Sequence, residues 1–262
     1  MYFSTRHVQG FIRKGFQLGL LGALGVLAGT AWAAYPDKPI KLVVGFPPGG
    51  PTDMTARIIA PKLAEILKQS VFVENKAGAG GNVAAQIVAN APPDGYTFLV
   101  NSAAFAVNPA LYGAAAGYSP KKNFSTVAFI STQANVISVN ESVPVKTLAE
   151  LKAYASKNKL SYSSPGYGTT PHLTCENLFR IQWKADINHI PYKGAEATRD
   201  LVAGRLQFMF ATAPSVIPLI KAGQLNAIAV SSKKRISAIP DLPTLNELGV
   251  DIATGAWFGL FA

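Results

Sequence analysis

The stretch Leu42-Val-Val-Gly-Phe-Pro-Pro-Gly-Gly-Pro-Thr-Asp53 runs from a short apolar segment through a glycine-rich turn into a helical pattern that continues to Leu67. The apolar segment is uncharged, β-branched and bounded by turn residues, which predicts a buried strand. Gly49 and Gly50 allow a sharp turn, and Thr52 and Asp53 are residue types that cap helices. Such a strand–loop–helix unit directs free backbone N–H groups and the positive end of a helix dipole at one point, which favours an anion such as a carboxylate.

A second unit of this kind lies later in the chain. Leu160-Ser-Tyr-Ser163 predicts a strand, and Ser164–Gly168 predicts a loop. Thr169-Thr-Pro-His-Leu173 then predicts a helix start, with Thr170 as the cap and Pro171 in the first helical position. Two such units indicate two half-sites that face one ligand, and neither carries the Gly-Lys-Ser/Thr signature of a P-loop.

A third glycine-rich segment, residues 75–82, lacks the GxGxxG spacing of a dinucleotide site. It therefore predicts a turn into a helix that begins near Asn82. Residues 113–123 show no periodicity and predict a loop.

Strand-like and helix-like segments alternate along most of the chain, which predicts an α/β fold with mainly parallel sheets covered on both faces. Ligands of such sheets bind at the carboxyl ends of the strands. Four segments stand at predicted strand ends: 46–53, Asn101-Ser102, 163–170 and 211–213. The long extended segment Thr126–Val139 predicts a crossing between two halves of the molecule, with a ligand cleft between the halves.

Residues 1–33 have the form of a secretory signal. Arg6, Arg13 and Lys14 precede an apolar, glycine-rich segment, and Ala31-Trp-Ala33 matches the small-x-small pattern of a cleavage site. The apolar segment is shorter than the about 20 residues that span a bilayer, so an uncleaved anchor is the weaker alternative. We therefore expect export to the periplasm with cleavage near Ala33.

The composition, with 49% hydrophobic and 15% charged residues, describes a globular chain with a sizeable core. Removing the three basic residues of the leader from 24 leaves 21 against 14 acidic residues, a net charge of +7 that favours anionic ligands.

Lys233-Lys-Arg235 is a tight basic run without interleaved aromatic residues, which argues against nucleic acid. Cys175 is the single cysteine and predicts a buried side chain. No metal-ligand spacing is present, so we expect neither a metal nor another cofactor.

From Tyr35 to Ala262 the chain resembles the substrate-binding proteins of tripartite tricarboxylate transporters, also called Bug proteins. Seven motifs in order carry this resemblance: Tyr35-Pro-x-Lys-Pro-Ile40, Phe46-x-x-Gly-Gly-x-Thr-Asp53, Val73-Glu-Asn-Lys-x-Gly-Ala-Gly-Gly-Asn82, Pro93-Asp-Gly-Tyr96, Gly166-x-Gly-Thr-x-x-His-Leu173, Pro191-Tyr-Lys-Gly194 and Leu219-Ile-Lys-Ala-Gly223.

The resemblance implies a periplasmic binding protein-like fold of type II, with two domains that close on a small organic carboxylate. The domains would comprise residues 34–135 plus 253–262, and residues 136–252. The protein would be a monomer that delivers its solute to the integral-membrane subunits of a secondary transporter, without catalysis.

The predicted ligand-binding set combines the two loops with the other strand ends: Phe46, Gly49, Gly50, Thr52, Asp53, Asn101, Ser102, Ser163, Gly166, Gly168, Thr169, Thr170 and Thr212. Within this set we expect Asp53 to cap the helix, because a carboxylate would repel an anion. His172 either packs beside the second loop or lines the pocket, and His189 is interpreted as structural.

Two departures from the family pattern are visible. Ala211-Thr212 is neutral where some family members carry an acidic residue, which favours a ligand without an amine. Family members also continue beyond the segment matching 257–261, so we expect part of the first domain to be missing and Ile58, Leu63 and Leu67 to be poorly buried.

Two other functions remain open. A ligand-sensing protein of a membrane signalling system would use the same pocket. A hydrolase acting on a carboxylate would need a pair such as Ser163 and His172, but the chain has neither a G-x-S-x-G nor an H-E-x-x-H motif.

Overall fold

The computed structural model describes residues 35–192 and 196–262, so the predicted leader, residues 1–33, lies outside the described residues. Residues 38–262 form one compact unit. Its strands are β1 (Ile40–Val44), β2 (Val71–Asn75), β3 (Thr97–Ser102), β4 (Thr126–Asn140), β5 (Leu160–Ser164), β6 (Ile187–Pro191), β7 (Phe208–Thr212), β8 (Leu225–Val230) and β9 (Gly255–Phe261). Its helices are α1 (Pro51–Leu67), α2 (Asn82–Ala89), α3 (Ala104–Tyr112), α4 (Pro120–Asn123), α5 (Leu148–Ala155), α6 (Thr170–Cys175), α7 (Glu196–Val202) and α8 (Ala213–Lys221).

The strands follow the order β2-β1-β3-β9-β4-β7-β5-β6, with β8 also paired to β4. β1 runs parallel to β2 and β3, and β5 runs parallel to β6 and β7. β4 and β9 run antiparallel to their neighbours, so the sheet is mixed. The predicted α/β class is confirmed.

The long strand β4 belongs to two sheets. Its residues 126–134 pair with β9, whereas residues 135–140 pair with β7 and β8. The predicted extended segment is therefore one continuous strand that joins the two sheets. The division of the chain into two domains at these positions remains a prediction.

The inner strands β1 and β7 are buried on both faces, which places core on either side of each sheet. In β1, Leu42 and Val44 pack with α1 residues, whereas Val43 packs with residues of α2. In β7, Phe208 and Phe210 lie in one core cluster, and Met209 lies in the other. This alternation follows from the period of two in a strand and explains why the parallel strands read as continuous apolar runs.

The two helices that follow the glycine-rich loops begin earlier than predicted. α1 is capped by Gly50 instead of Thr52 or Asp53, and α6 is capped by Thr169 instead of Thr170. A proline occupies one of the first two positions of each helix. Proline suits these positions because its φ is preset and its missing N–H has no acceptor in the first turn.

The loop predicted over residues 113–123 was wrong in part. It contains a 3₁₀ turn at Gly113–Ala116 and the short helix α4, and it follows the unpredicted helix α3. α3 reads Ala-Phe-Ala-Val-Asn-Pro-Ala-Leu-Tyr, which is apolar on nearly every side and gives no amphipathic signal. Thr147 and Glu150 form a capping box at the start of α5.

The side chains expected to be poorly buried differ among themselves. Ile58 is 70% exposed, whereas Leu63 and Leu67 are half-buried against the core beside β1. Among the described residues, no helix has both the length and the apolar character needed to cross a membrane.

Candidate functional site

A cavity of about 50 Å³ lies where the predicted strand-end segments meet. Thirteen residues line it: Phe46, Pro47, Gly50, Pro51, Thr52, Ser102, Pro165, Thr169, Thr170, Pro171, Thr212, Ala256 and Phe258. One buried water needs about 10–15 Å³, so the cavity holds a few waters or a small ligand group. All four strand-end segments contribute to it, because the carboxyl ends of parallel strands in a sheet lie along one edge.

Seven of the predicted site residues line the cavity: Phe46, Gly50, Thr52, Ser102, Thr169, Thr170 and Thr212. The other six, Gly49, Asp53, Asn101, Ser163, Gly166 and Gly168, do not line it. Six lining residues are outside the predicted set: Pro47, Pro51, Pro165 and Pro171 beside the predicted loop residues, and Ala256 and Phe258 on β9. The expectation that ligands bind at the carboxyl ends of strands could not predict Ala256 and Phe258, because β9 is antiparallel and its first half reaches the cavity.

The polar side chains that line the cavity all end in hydroxyl groups, on Thr52, Ser102, Thr169, Thr170 and Thr212, and no charged side chain is among the thirteen. Ser102 is 8% exposed, and its Oγ has no hydrogen-bond partner within the described residues. The cavity therefore offers neutral donors with no fixed negative charge.

Three helices begin at the cavity. α1 starts at Pro51, α6 starts at Thr170, and α8 follows its cap residue Thr212; all three of these residues line the cavity. The first-turn N–H groups of a helix have no acceptor within the helix, and the helix dipole places partial positive charge there. Three such ends around one neutral cavity form an environment that stabilises an anion without a lysine or an arginine.

The first loop, residues 46–50, is held from behind by the buried carboxylate of Asp53. This carboxylate accepts hydrogen bonds from the Gly49 N–H at 2.9 Å, from Arg57 Nε at 2.9 Å and from Asn75 Nδ2 at 2.8 Å. Asn75 Nδ2 also donates to the Phe46 carbonyl oxygen at 2.9 Å. Asp53 thus lies in the first turn of α1 and shapes the loop without lining the cavity.

The pKa of Asp53 reflects these contacts. Burial alone would raise it, but the hydrogen bonds from Arg57, Gly49 and Asn75 outweigh burial and hold the pKa of this carboxyl below its ordinary value. The side chain is therefore ionised, and its charge is balanced by the neighbouring guanidinium group.

The second loop, residues 164–169, is held by Ser164 and Thr169. Ser164 Oγ lies 2.7 Å from Nε2 of His189 and accepts a hydrogen bond from the Gly166 N–H at 3.1 Å. Thr169 Oγ1 donates to the Gly166 carbonyl oxygen at 2.7 Å. Because Ser164 is fully buried, these bonds fix the loop from its inner side.

Two histidines lie behind this loop. The His172 and His189 rings are 4.4 Å apart, and His172 Nδ1 accepts a hydrogen bond from the Gly168 N–H at 3.4 Å. Burial lowers the pKa of both imidazoles, and together with the charge of neighbouring His172 it lowers the pKa of His189 to about 4. Of the two interpretations of His172, the one in which it packs beside the loop is correct, since it does not line the cavity.

The serine–histidine pair considered for a hydrolase is not formed. Ser163 Oγ has no hydrogen-bond partner within the described residues, and the serine that contacts a histidine is Ser164. Ser164 is buried away from the cavity. The described residues also contain no group of three or more histidine, cysteine, aspartate or glutamate side chains that could hold a metal ion.

Gly168 has a packing role. Its φ is +75°, and a Cβ at this position would lie 2.5 Å from Asn108 Oδ1. Asn108 is a fully buried residue of α3 that donates hydrogen bonds to the Gly80 carbonyl oxygen at 3.0 Å and to Asn82 Oδ1 at 2.7 Å. Gly168 therefore allows the second loop to pack against α3 and the third glycine-rich segment.

Comparison with known proteins gives consistent matches. The family model described as "Tripartite tricarboxylate transporter family receptor" matches residues 55–262. The protein BugT of Bordetella pertussis is 34% identical, over 93% of this chain and 78% of its own length.

Two solved structures share the fold over 87% of this chain. Rpa4515 of R. palustris with adipate has a TM-score of 0.82 and 38% identity over 77% of its length. MatC of Rhodopseudomonas palustris with bound malate has a TM-score of 0.78 and 33% identity over 79% of its length.

Proposed function

Because this chain belongs to the tripartite tricarboxylate transporter receptor family, we propose that it captures a small organic carboxylate outside the cytoplasm and delivers it to the membrane subunits of a secondary transporter. The single observation that supports this proposal best is the composition of the cavity. Five hydroxyl side chains and three helix starts surround it, and no charged side chain is among its lining residues.

The chemistry of the cavity fits a carboxylate. A carboxylate has two oxygens that accept several hydrogen bonds, and the hydroxyls of Thr52 and Thr170 with the first-turn N–H groups of α1 and α6 supply the donors. Dipoles fixed by the fold bind a carboxylate without a compensating cation, as at other helix N-termini. The adipate and malate bound by two structural relatives belong to the same chemical class.

In this proposal the predicted site residues fall into two groups. Residues that line the cavity contact the solute, namely Phe46, Gly50, Thr52, Ser102, Thr169, Thr170 and Thr212. Gly49, Asp53, Asn101, Ser163, Gly166 and Gly168 act behind them by fixing the shape of the loops. The protein binds its solute without converting it chemically.

The proposal includes the cell biology that the sequence predicts. The leader of residues 1–33 directs the chain to the periplasm and is cleaved near Ala33. The mature protein acts as a monomer whose two domains, 34–135 with 253–262 and 136–252, close around the solute. A closed, loaded protein then docks on the integral-membrane subunits.

Calorimetric titration of the purified chain with a panel that includes adipate, malate, succinate, citrate and benzoate tests the proposal. We expect at least one acid to bind, and we expect its neutral amide not to bind. Thr170→Ala removes a lining hydroxyl and should weaken binding, whereas Thr147→Ala removes a helix-cap hydroxyl far from the cavity in sequence and outside its lining. Binding of the amide with equal affinity, or no binding of any carboxylate, would refute the proposal.

A further inference from the structure

Three polar side chains, one lining the cavity and two on the neighbouring strand β4, have atoms that lack a hydrogen-bond partner within the described part of the chain. They are Ser102 Oγ, Gln133 Oε1, and both Nδ2 and Oδ1 of Asn135. Asn135 is fully buried, and Ser102 is 8% exposed. We refer to Ser102, Gln133 and Asn135 as the floor patch.

The register of the strands places the floor patch on the cavity side of the sheets. Ser102 lies opposite Phe258, Gln133 opposite Ala256, and Asn135 opposite Thr212. Each of these three partners lines the cavity. Because residues directly opposite one another in an antiparallel pair share a face of the sheet, the polar side chains lie next to the cavity lining.

The core packing of β4 supports this assignment. Ile137, two residues after Asn135, packs in the same cluster as Phe208 and Phe210, which share a face of β7 with the cavity residue Thr212.

A buried polar atom without a partner destabilises a folded protein, so folds rarely retain several of them in one place. The floor patch combines acceptors, Gln133 Oε1 and Asn135 Oδ1, with the donor Asn135 Nδ2 and a serine hydroxyl that can do both. The group that completes such a patch must both donate and accept hydrogen bonds.

A hydroxyl group meets this requirement, whereas the two other groups common in small metabolites do not. A carboxylate only accepts hydrogen bonds and would leave the carboxamide oxygens without donors. An ammonium group only donates, and no carboxylate side chain is among the residues lining the cavity to balance its charge.

We propose that the solute is a hydroxycarboxylate, whose carboxylate binds at the helix starts and whose hydroxyl binds at the floor patch. This inference rests on the proposed function and adds the chemical class of the solute. A site built to hydrogen-bond a hydroxyl discriminates strongly against the analogue that lacks it, because the buried polar groups are then left unpaired.

The test is a calorimetric titration of the purified chain with pairs of acids that differ by one hydroxyl: malate and succinate, lactate and propionate, 3-hydroxybutyrate and butyrate. In at least one pair the hydroxy acid should bind at least 10-fold more tightly than its partner. A tenfold difference in affinity corresponds to about 1.4 kcal/mol, which is similar to the loss of one satisfied buried hydrogen bond. Ser102→Ala and Asn135→Leu should each reduce this preference to about 3-fold or less.

Ser138→Ala is the matched control. Ser138 is fully buried and its Oγ also lacks a partner within the described residues, but it lies opposite Met209, which packs in the core cluster on the other face of the sheet. This variant should keep the full hydroxyl preference.

Thermal unfolding without solute separates a binding role from a structural one. Asn135→Leu replaces unpartnered polar atoms by an apolar side chain of similar size, so it should raise Tm by about 2–4 °C. A structural asparagine would instead lower Tm on substitution, and that result would overturn the inference, as would a variant that does not fold.

The remaining outcomes are also decisive. Binding of carboxylates with equal affinity within every pair, or a preference that persists in Ser102→Ala, would overturn the hydroxyl assignment and leave the proposed function intact. Failure of every acid to bind would refute the proposed function and the inference with it.

Discussion

Replacing Asp53 with asparagine should both destabilise the protein and weaken solute binding. The carboxylate is 1% exposed and accepts three hydrogen bonds, from the Gly49 N–H, Arg57 Nε and Asn75 Nδ2. Asparagine has nearly the same shape but only one acceptor oxygen, and its NH₂ group must face one of these three donors. The substitution therefore removes a charge and creates a donor–donor contact beside the first loop.

The magnitude follows from these contacts. A hydrogen bond to a charged group contributes about 1.5–3 kcal/mol, and a buried donor left unpaired costs about 1–3 kcal/mol. Because Arg57 is half-exposed and regains water, we discount its share and expect the free energy of unfolding to fall by about 2–4 kcal/mol. This is a large part of the about 5–15 kcal/mol that stabilises a typical domain.

Urea unfolding at neutral pH measures this change, and Glu65→Gln on the same helix is the control. Glu65 pairs with Lys62 in an exposed contact whose side chains are 77% and 71% exposed, so its loss should change stability by less than about 0.5 kcal/mol. Solute affinity should fall in Asp53→Asn and remain unchanged in the control.

The pH dependence provides a second check on Asp53. Its folded-state pKa is depressed, so its contribution to stability is present above the unfolded pKa of about 3.9 and is lost as the pH falls through the folded value. The difference between wild type and Asp53→Asn should therefore shrink in strong acid. A stability equal to wild type at pH 7, or a loss no larger than that of the Glu65→Gln control, would refute the reasoning.

Three further predictions concern the second loop and the helix behind it. Gly168→Ala should lower Tm more than Gly223→Ala. Both glycines have φ above +70°, but only a Cβ at position 168 would meet Asn108. An equal fall in Tm for the two variants would contradict this. His189 has a folded-state pKa of about 4, below the unfolded value of about 6.5, so the unfolded state binds more protons between these pH values. The free energy of unfolding should therefore fall by at most about 3 kcal/mol as the pH drops from 6.5 to 4. His189→Gln should flatten this dependence in urea unfolding, and an unchanged slope would contradict it. Cys175 is fully buried and burial raises the pKa of its thiol, so a disulfide reagent should react with it only after unfolding; rapid reaction with the native chain would contradict its burial.

Local sequence signals predicted most strands and the convergence of four strand ends on one cavity. The β-branched run at β1 and the glycine-rich turn after it are local signals, and the edge on which parallel strands end is fixed by topology. The ordered motifs then identified the family, which the family model and the relatives confirm. The exact domain division and the contact of each residue with solute remain predictions.

What the sequence did not predict depends on long-range packing. Ala256 and Phe258 reach the cavity only because β9 pairs antiparallel with both β3 and β4, more than a hundred residues away for each partner in sequence. The hydrogen bond between Ser164 and His189 depends on the register between β5 and β6, in which Tyr162 lies opposite His189. No local pattern distinguishes Ser164 from Ser163 as the residue that meets this ring.

The helix starts show a smaller error with a local cause. Thr52, Asp53 and Thr170 are good capping types, yet Gly50 and Thr169 cap the helices, and Pro51 and Pro171 each occupy one of the first two helical positions. The first residues of both helices, Pro51 and Thr170, line the cavity.

A crystal structure of the protein with the carboxylate that binds most tightly tests the central claim most directly. We predict a carboxylate group in the cavity between the two glycine-rich loops, with its oxygens about 2.7–3.1 Å from hydroxyl or N–H donors of Thr52 and Thr170. A carboxylate bound at another surface, or one held in the cavity by a lysine or arginine side chain, would contradict the account.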